Sequence, residues 1–552
     1  MSALARFFDS YYRLRPVNAT FTGVHDFDDR LPDWSPDGLA AALDEIRGLR
    51  TALHDGGATP DLHDTRARDL ALAVSFLDVQ IAELESAHFQ RGNPSLAIGE
   101  AAFGIIALIT RSFAPASRRV DAVVARLDAI PGFLAGARQS IAGGVPDEWR
   151  LKALRECDGA GRVVGDGLDR WLAIEAVTDD RVRPAADRAA AAIDAFRGWL
   201  TTEVQAAPAE RYAAGSDLLD LLIARGHWCA TGRRDLAARV HDALDDALDA
   251  LDRRARAAAP GGWPEVQERL AGQHPAAAGY LTAFQQTWEG CRAAAVEARL
   301  VSWPDYPIRY VPIPAQTRDA APFLYYLFYR SPAPFDRLRV HDYVVTPIDD
   351  TLAAEERERR LRVWNDAAIV LNHVVHHGGL GHHVQNFHAA RCQSRIGQVA
   401  AVDGASRIGM FSGGTMAEGW ACYACDLIEG TGLLTPHEQA AQQHTRVRLA
   451  ARAVADLELH LGIRSLDGTA ALYRERAGLA PDAAFAEAVK NSMFPGAAVM
   501  YWLGTRALHQ LRREASGRAG ASFTLRAFHD RVLQFGSIPV LLIARLMSRC
   551  PA

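Results

Sequence analysis

The chain has 552 residues, is 49% hydrophobic and carries a formal net charge of -5. That length supports a large buried core and two lobes rather than one. The scattered, balanced charge offers no basic face for nucleic acid, no apolar run reaches the ~18 residues that span a bilayer, and an odd seven cysteines point to reduced thiols. The opening MSALARFFDSYYRLRPVNAT is too polar for a signal peptide, so a soluble, cytoplasmic protein is expected.

Residues 1–300 read almost wholly as amphipathic helices. In DLHDTRARDLALAVSFLDVQIAELESA and DLAARVHDALDDALDALDRRARAA, apolar residues recur at three- and four-residue steps. Breaks such as Ala259-Pro260-Gly261-Gly262 separate such stretches. Residues 301–350 are rich in Pro, Tyr and β-branched residues, which predicts a short β element or an extended crossing between lobes. Within them, Tyr325-Tyr326-Leu327-Phe328-Tyr329 is expected to line the inter-lobe core or wall a pocket. From 351 to 552 the helical pattern resumes, over 353–377, around 382–392, then 416–430, 437–460, 467–476, 482–491, 496–515 and 523–534. The expected fold class is all-α with a minor β part. It would have an N-terminal helical lobe (1–300), a crossing segment (301–350), a C-terminal helical lobe (351–552) and a central cleft.

Six of the 19 histidines fall between His373 and His388, in LNHVVHHGGLGHHVQNFH. Imidazole joins a near-neutral pKa to a lone pair that suits borderline metals. Downstream, Glu418 opens the helical stretch AEGWACYACD, and a histidine cluster followed by a helical glutamate is the ligand order of many zinc hydrolases. On an unbroken helix His376 cannot share a metal with His382 or His383, because six residues turn roughly 600° and seven rise about 10 Å. Gly378, Gly379 and Gly381 offer the remedy, since three glycines in four residues break the helix and fold the second histidine back. A rival pair, His373 and His377, stands four residues apart and needs no kink. A cluster that holds no metal is the third reading.

These motifs resemble the bacterial domain-of-unknown-function family 885, whose members look like zinc metallopeptidases with a mostly helical, thermolysin-type active site. The family's His-Glu-x-x-Pro-Gly-His-His segment corresponds to His376-His377-Gly378-Gly379-Leu380-Gly381-His382-His383, and its Glu-Gly-Trp-Ala-x-Tyr to Glu418-Gly419-Trp420-Ala421-Cys422-Tyr423. Asp456 with His460, Pro495-Gly496, Tyr501 with Gly504, the closing 536–542 and the opening 16–35 also fit. The resemblance implies that His376 and Glu418 are metal ligands, with His382 as the third and His383 as its alternative. It implies that Tyr501 faces the cleft and donates to a developing oxyanion, and that Asp456 and His460 support the site or the substrate. The implied ion is Zn2+, with iron or manganese as alternatives.

The chain departs from the family where the chemistry lies. His377 stands for the family's glutamate, Leu380 for its proline, and Cys425 for a second glutamate. The glutamate beside the first histidine would take a proton from the attacking water. A neutral imidazole can do the same, or it can become a fourth ligand and close the site. Three functions stand open: a metal-dependent hydrolase with a changed base, acting on a small amide, peptide or ester; a metal-dependent lyase, cyclase or isomerase; and a catalytically silent binding protein. The expected partner is a small molecule or short peptide. Cys422-x-x-Cys425 has no companion pair and is expected to pack rather than to ligate.

Overall fold

Apolar residues at helical spacing close into helices along nearly the whole chain, as the computed structural model shows for residues 2–54, 60–141, 143–324, 331–336, 338–348, 351–402 and 408–548. The fold is all-α with a minor β part. The aromatic run 325–329 and Cys550 lie outside the described residues.

The chain divides into two compact units. The first comprises Met1–Ala214 with the returning segments Ile313–Leu327 and Phe335–Arg337. Helices Pro94–Ile109, Ala116–Ser140, Asp147–Arg162 and Val182–Thr202 enclose a core that includes Ile98, Ile105, Leu127, Ile130, Trp171 and Ile193. Arg126 is wholly buried beside that core and is satisfied by oxygen acceptors, the Gly104 carbonyl at 2.6 Å and Thr20 Oγ1 at 2.7 Å among them.

The second unit comprises Gly215–Pro312, Phe328–Pro334 and Leu338–Ala552. The helices of 215–300, read from sequence with the N-terminal lobe, therefore pack with the C-terminal half. Helix Arg233–Ala258 lies along helix Pro436–His460, with Leu236, Val240 and Leu244 in one cluster with Val447, Ala451 and Val454. Helix Pro436–His460 starts at a capping box: Thr435 Oγ1 accepts from the Glu438 amide and the Glu438 carboxylate accepts from the Thr435 amide. The expected β element is a parallel pair, β1 (Ile308–Pro312) and β2 (His341–Val345), with Tyr310 opposite Tyr343.

The helix expected over 353–377 is interrupted. Helix Ala354–Val363 ends before Asn365, whose side chain accepts from the Ala368 amide at 3.0 Å and starts a new segment. That segment continues as a π-helix over Ile369–Gly378. Helix Val540–Ser548, within and beyond the closing motif, has no counterpart among the elements expected from sequence.

Candidate metal centre

The π-helix carries His373, His376 and His377 and ends in the glycine turn. The amides of Gly379 and Gly381 donate to the carbonyls of Val374 (2.6 Å) and Val375 (2.8 Å), so the chain doubles back onto the helix it has just left. Side chains have no room there: a Cβ on Gly381 would collide with the His376 carbonyl, and one on Gly378 with the Tyr310 hydroxyl. Two indoles satisfy carbonyls of the turn, Trp288 Nε1 donating to Gly378 O and Trp420 Nε1 to Leu380 O, both at 2.9 Å. A new helix, His382–Ala389, then begins with His382 as its first residue. This is the break that three glycines predict.

Glu418 comes from the helix Gly414–Glu429, one turn after its start. That helix lies close against helix Val499–Ala519 because Gly419 and Gly504 face each other, and a Cβ on Gly419 would stand 2.5 Å from the Gly504 Cα. On the same face as Glu418, the Cys422 sulfur lies 3.9 Å from His376 Nδ1, and Cys425 donates to Leu371 O at 3.4 Å. The two thiols pack against the π-helix, and burial pushes both well above the usual thiol range.

The elements converge on one oxygen. His376 Nε2 stands 3.4 Å and His382 Nε2 3.5 Å from Glu418 Oε2. Two ligand atoms each ~2.1 Å from a tetrahedral zinc stand about 3.4 Å apart, so both spacings match the edge of such a tetrahedron. One ring nitrogen from each of His376, His377 and His382 also lies within 4.8 Å of the other two. Glu418 and His377 thus flank the same pair of imidazoles. Burial lowers His376 below the ordinary imidazole value, and burial together with the neighbouring histidines lowers His377 well below it. Burial also opposes charge on Glu418, yet His382 and the hydrogen bonds from His376 and His382 hold its carboxyl well below the usual range. An ionised Glu418 and a His376 and His377 disposed to be neutral are the protonation states that metal binding requires of such groups.

His377 makes a 2.7 Å hydrogen bond from Nδ1 to the Asn372 carbonyl. A carbonyl only accepts, so Nδ1 carries the proton and Nε2 keeps its lone pair. Such a bond to a backbone carbonyl is what fixes the tautomer of metal-binding histidines.

Other candidate residues lie elsewhere. His383 is fully buried, bonds Tyr306 O through Nε2 at 2.7 Å and stacks on the Tyr306 ring, so His382 and not His383 accompanies His376. His373 bonds the Tyr343 hydroxyl and packs among Phe284 and Trp364, which removes it from the pair with His377. The reason is its surroundings: the His373 ring is turned into the pocket of Phe284, Tyr343 and Trp364, whereas His377 is turned toward His376 and His382. Asp456 and His460 are fully buried. Asp456 accepts from the amides of Gly496 (2.9 Å) and Val499 (2.8 Å), and His460 donates to Asn491 O at 2.9 Å. They secure the turn that launches the Tyr501 helix. Burial raises Asp456 to about 7 against the pull of those amides.

Tyr501 is half-buried, and the Arg452 guanidinium carbon sits 5.4 Å from the centre of its ring. Arg452 was not among the residues singled out from sequence. The signal was present: Arg448, Arg452, Asp456 and His460 recur every four residues, a polar stripe on a largely buried helix. Trp288 had no such signal.

Residues 16–547 match the family described as bacterial protein of unknown function (DUF885). The chain belongs to this family. Two solved structures are similar to it. One is described as a candidate lipoprotein of unknown function from Shewanella oneidensis, 20% identical, with a TM-score of 0.77 over 99% of each chain. The other is described as a candidate lipoprotein from Colwellia psychrerythraea, 15% identical, with the same TM-score over 99% of each chain. At these identities the likeness shows the fold. No curated protein matches the sequence. Among the described residues, no helix is long and apolar enough to cross a membrane.

Proposed function

We propose that this DUF885 chain is a metal-dependent hydrolase of the zinc metallopeptidase type, acting on a small amide, peptide or ester, with His377 as its base. The chief support is the pair of 3.4 and 3.5 Å spacings from His376 Nε2 and His382 Nε2 to Glu418 Oε2. These three residues would hold Zn2+, or iron or manganese in its place. When bound, such an ion polarises a substrate carbonyl and acidifies water. His377 Nε2 takes a proton from the attacking water and returns it to the leaving amine or alcohol. The Asn372 carbonyl on Nδ1 leaves the Nε2 lone pair to accept that proton, and burial with the neighbouring histidines favours the neutral ring. Tyr501 supplies a hydrogen bond to the developing oxyanion. A cytoplasmic location fits the six described cysteines, all free and buried.

A second reading rests on the same histidine. With a ring nitrogen within 4.8 Å of those of His376 and His382, His377 can serve as a fourth ligand. That would close the position hydrolysis needs and would fit a silent binding role; with His377 off the ion, the absence of the peptidase glutamate would fit a Lewis-acid lyase, cyclase or isomerase step.

Turnover of a panel of dipeptides and acyl amides separates the two. The hydrolase reading expects turnover that a chelator or Glu418→Ala abolishes, and that His377→Ala lowers by about 10²–10⁴-fold. No metal-dependent turnover across the panel sinks it. Activity that appears only in His377→Glu favours the second reading.

A further inference from the structure

Helix Pro436–His460 turns its polar stripe in two directions. Asp456 and His460 secure the turn before Tyr501, while Arg448 and Arg452 form a cationic end. Arg452 pairs side-on with Glu487, Nε to Oε2 at 3.0 Å and Nη2 to Oε1 at 2.7 Å. That fork leaves the Nη1 hydrogens outside the pair. The guanidinium lies by the Tyr501 ring, and its charge acts on His376 and on Cys422 behind it. Arg448, one turn earlier, has Glu487 as a counter-charge too. Two arginines therefore share one glutamate. Holding Arg452 in place needs only one cation per carboxylate. A partly buried excess of positive charge carries a desolvation cost that an arriving anion offsets. A guanidinium also presents its donors in the planar spacing that a carboxylate accepts.

We propose that Arg452, with Arg448, is the anion-binding arm of this centre and takes a terminal carboxylate of the substrate, the free C-terminus of a short peptide. The peptide nature of the ligand rests on the hydrolase reading; binding of an acid by the arginines does not require turnover.

The test is calorimetric titration of the full chain with a panel of dipeptides, each as the free acid and as its C-terminal amide. The wild type should bind acids about ten- to a hundredfold more tightly than the matching amides, the range of a charge-assisted hydrogen bond. Arg448→Met should narrow that preference by weakening the acids alone. Arg452→Met combined with Glu487→Gln, which leaves no uncompensated carboxylate, should nearly erase it, and Arg452→Lys should restore part of it. Melting curves on each variant separate lost binding from lost folding. Equal binding of acid and amide, no binding of either across the panel, or a preference unchanged in both arginine variants overturns the proposal. Acid preference without turnover would sink the hydrolase and leave the arm standing; turnover without acid preference would do the reverse.

Discussion

A methyl group on Gly381 would meet the His376 carbonyl oxygen and stand 2.8 Å from that of Val375. Neither is the tip of a flexible side chain, so Gly381→Ala must open the turn that brings His382 beside Glu418. The variant should not hold the proposed metal, and should lose several kcal/mol of stability. Metal content equal to wild type by elemental analysis would contradict this. The glycines and the break they cause were legible from composition alone. Which histidine turns inward was not, because it depends on where the next helix starts. His382 is its first residue and meets Glu418, while His383, about 100° further round, meets Tyr306. The His373/His377 pair does not form because His373 meets the Tyr343 hydroxyl and packs among Phe284 and Trp364, long-range partners that helical spacing does not announce.

Between elements, the glutamate helix and the helix Val499–Ala519 are held at a distance that only glycine permits. A Cβ on Gly504 would collide with the Thr415 carbonyl and stand 2.8 Å from the Gly419 Cα. Gly504→Ala should force the helices apart, lower stability by about 1–3 kcal/mol and displace Glu418 and Tyr501 together. An unchanged melting temperature would show that the pair tolerates wider spacing. Both helices were legible from their 3.6-residue period. The burial of Asp456 and His460 was not, since a four-residue step marks a face without saying what covers it. Here the covering is the 491–499 segment, reached through long-range hydrogen bonds.

On the scale of the whole molecule, the chain returns to the first unit at Phe335–Arg337, and His25 fastens that return. His25 bonds Asp28 at 2.8 Å and Asp336 at 2.9 Å and stacks on Phe113. Burial alone would lower its pKa, but the two carboxylates raise it to about 9. The folded value exceeds the unfolded one of about 6.5, so the stabilisation is complete below about pH 6.5 and is lost as pH rises through about 9. With solvent screening allowed for, His25→Gln should destabilise by roughly 2 kcal/mol at pH 6 and hardly at all at pH 10. Denaturant midpoints across that range check it, and a gap that does not close would refute the assignment. A crossing of this kind was anticipated near 301–350, but the boundary after Ala214 was not visible as a break in composition. Helices on either side of Ala214 share one pattern, and only packing assigns them to different units.

The most direct measurement is elemental analysis of the purified protein by plasma mass spectrometry, beside a His376→Ala, Glu418→Ala double variant. A metal centre predicts about one zinc, iron or manganese per chain in the wild type and none in the variant. No metal in either protein, even after reconstitution, would contradict the centre itself and every metal-dependent function argued from it.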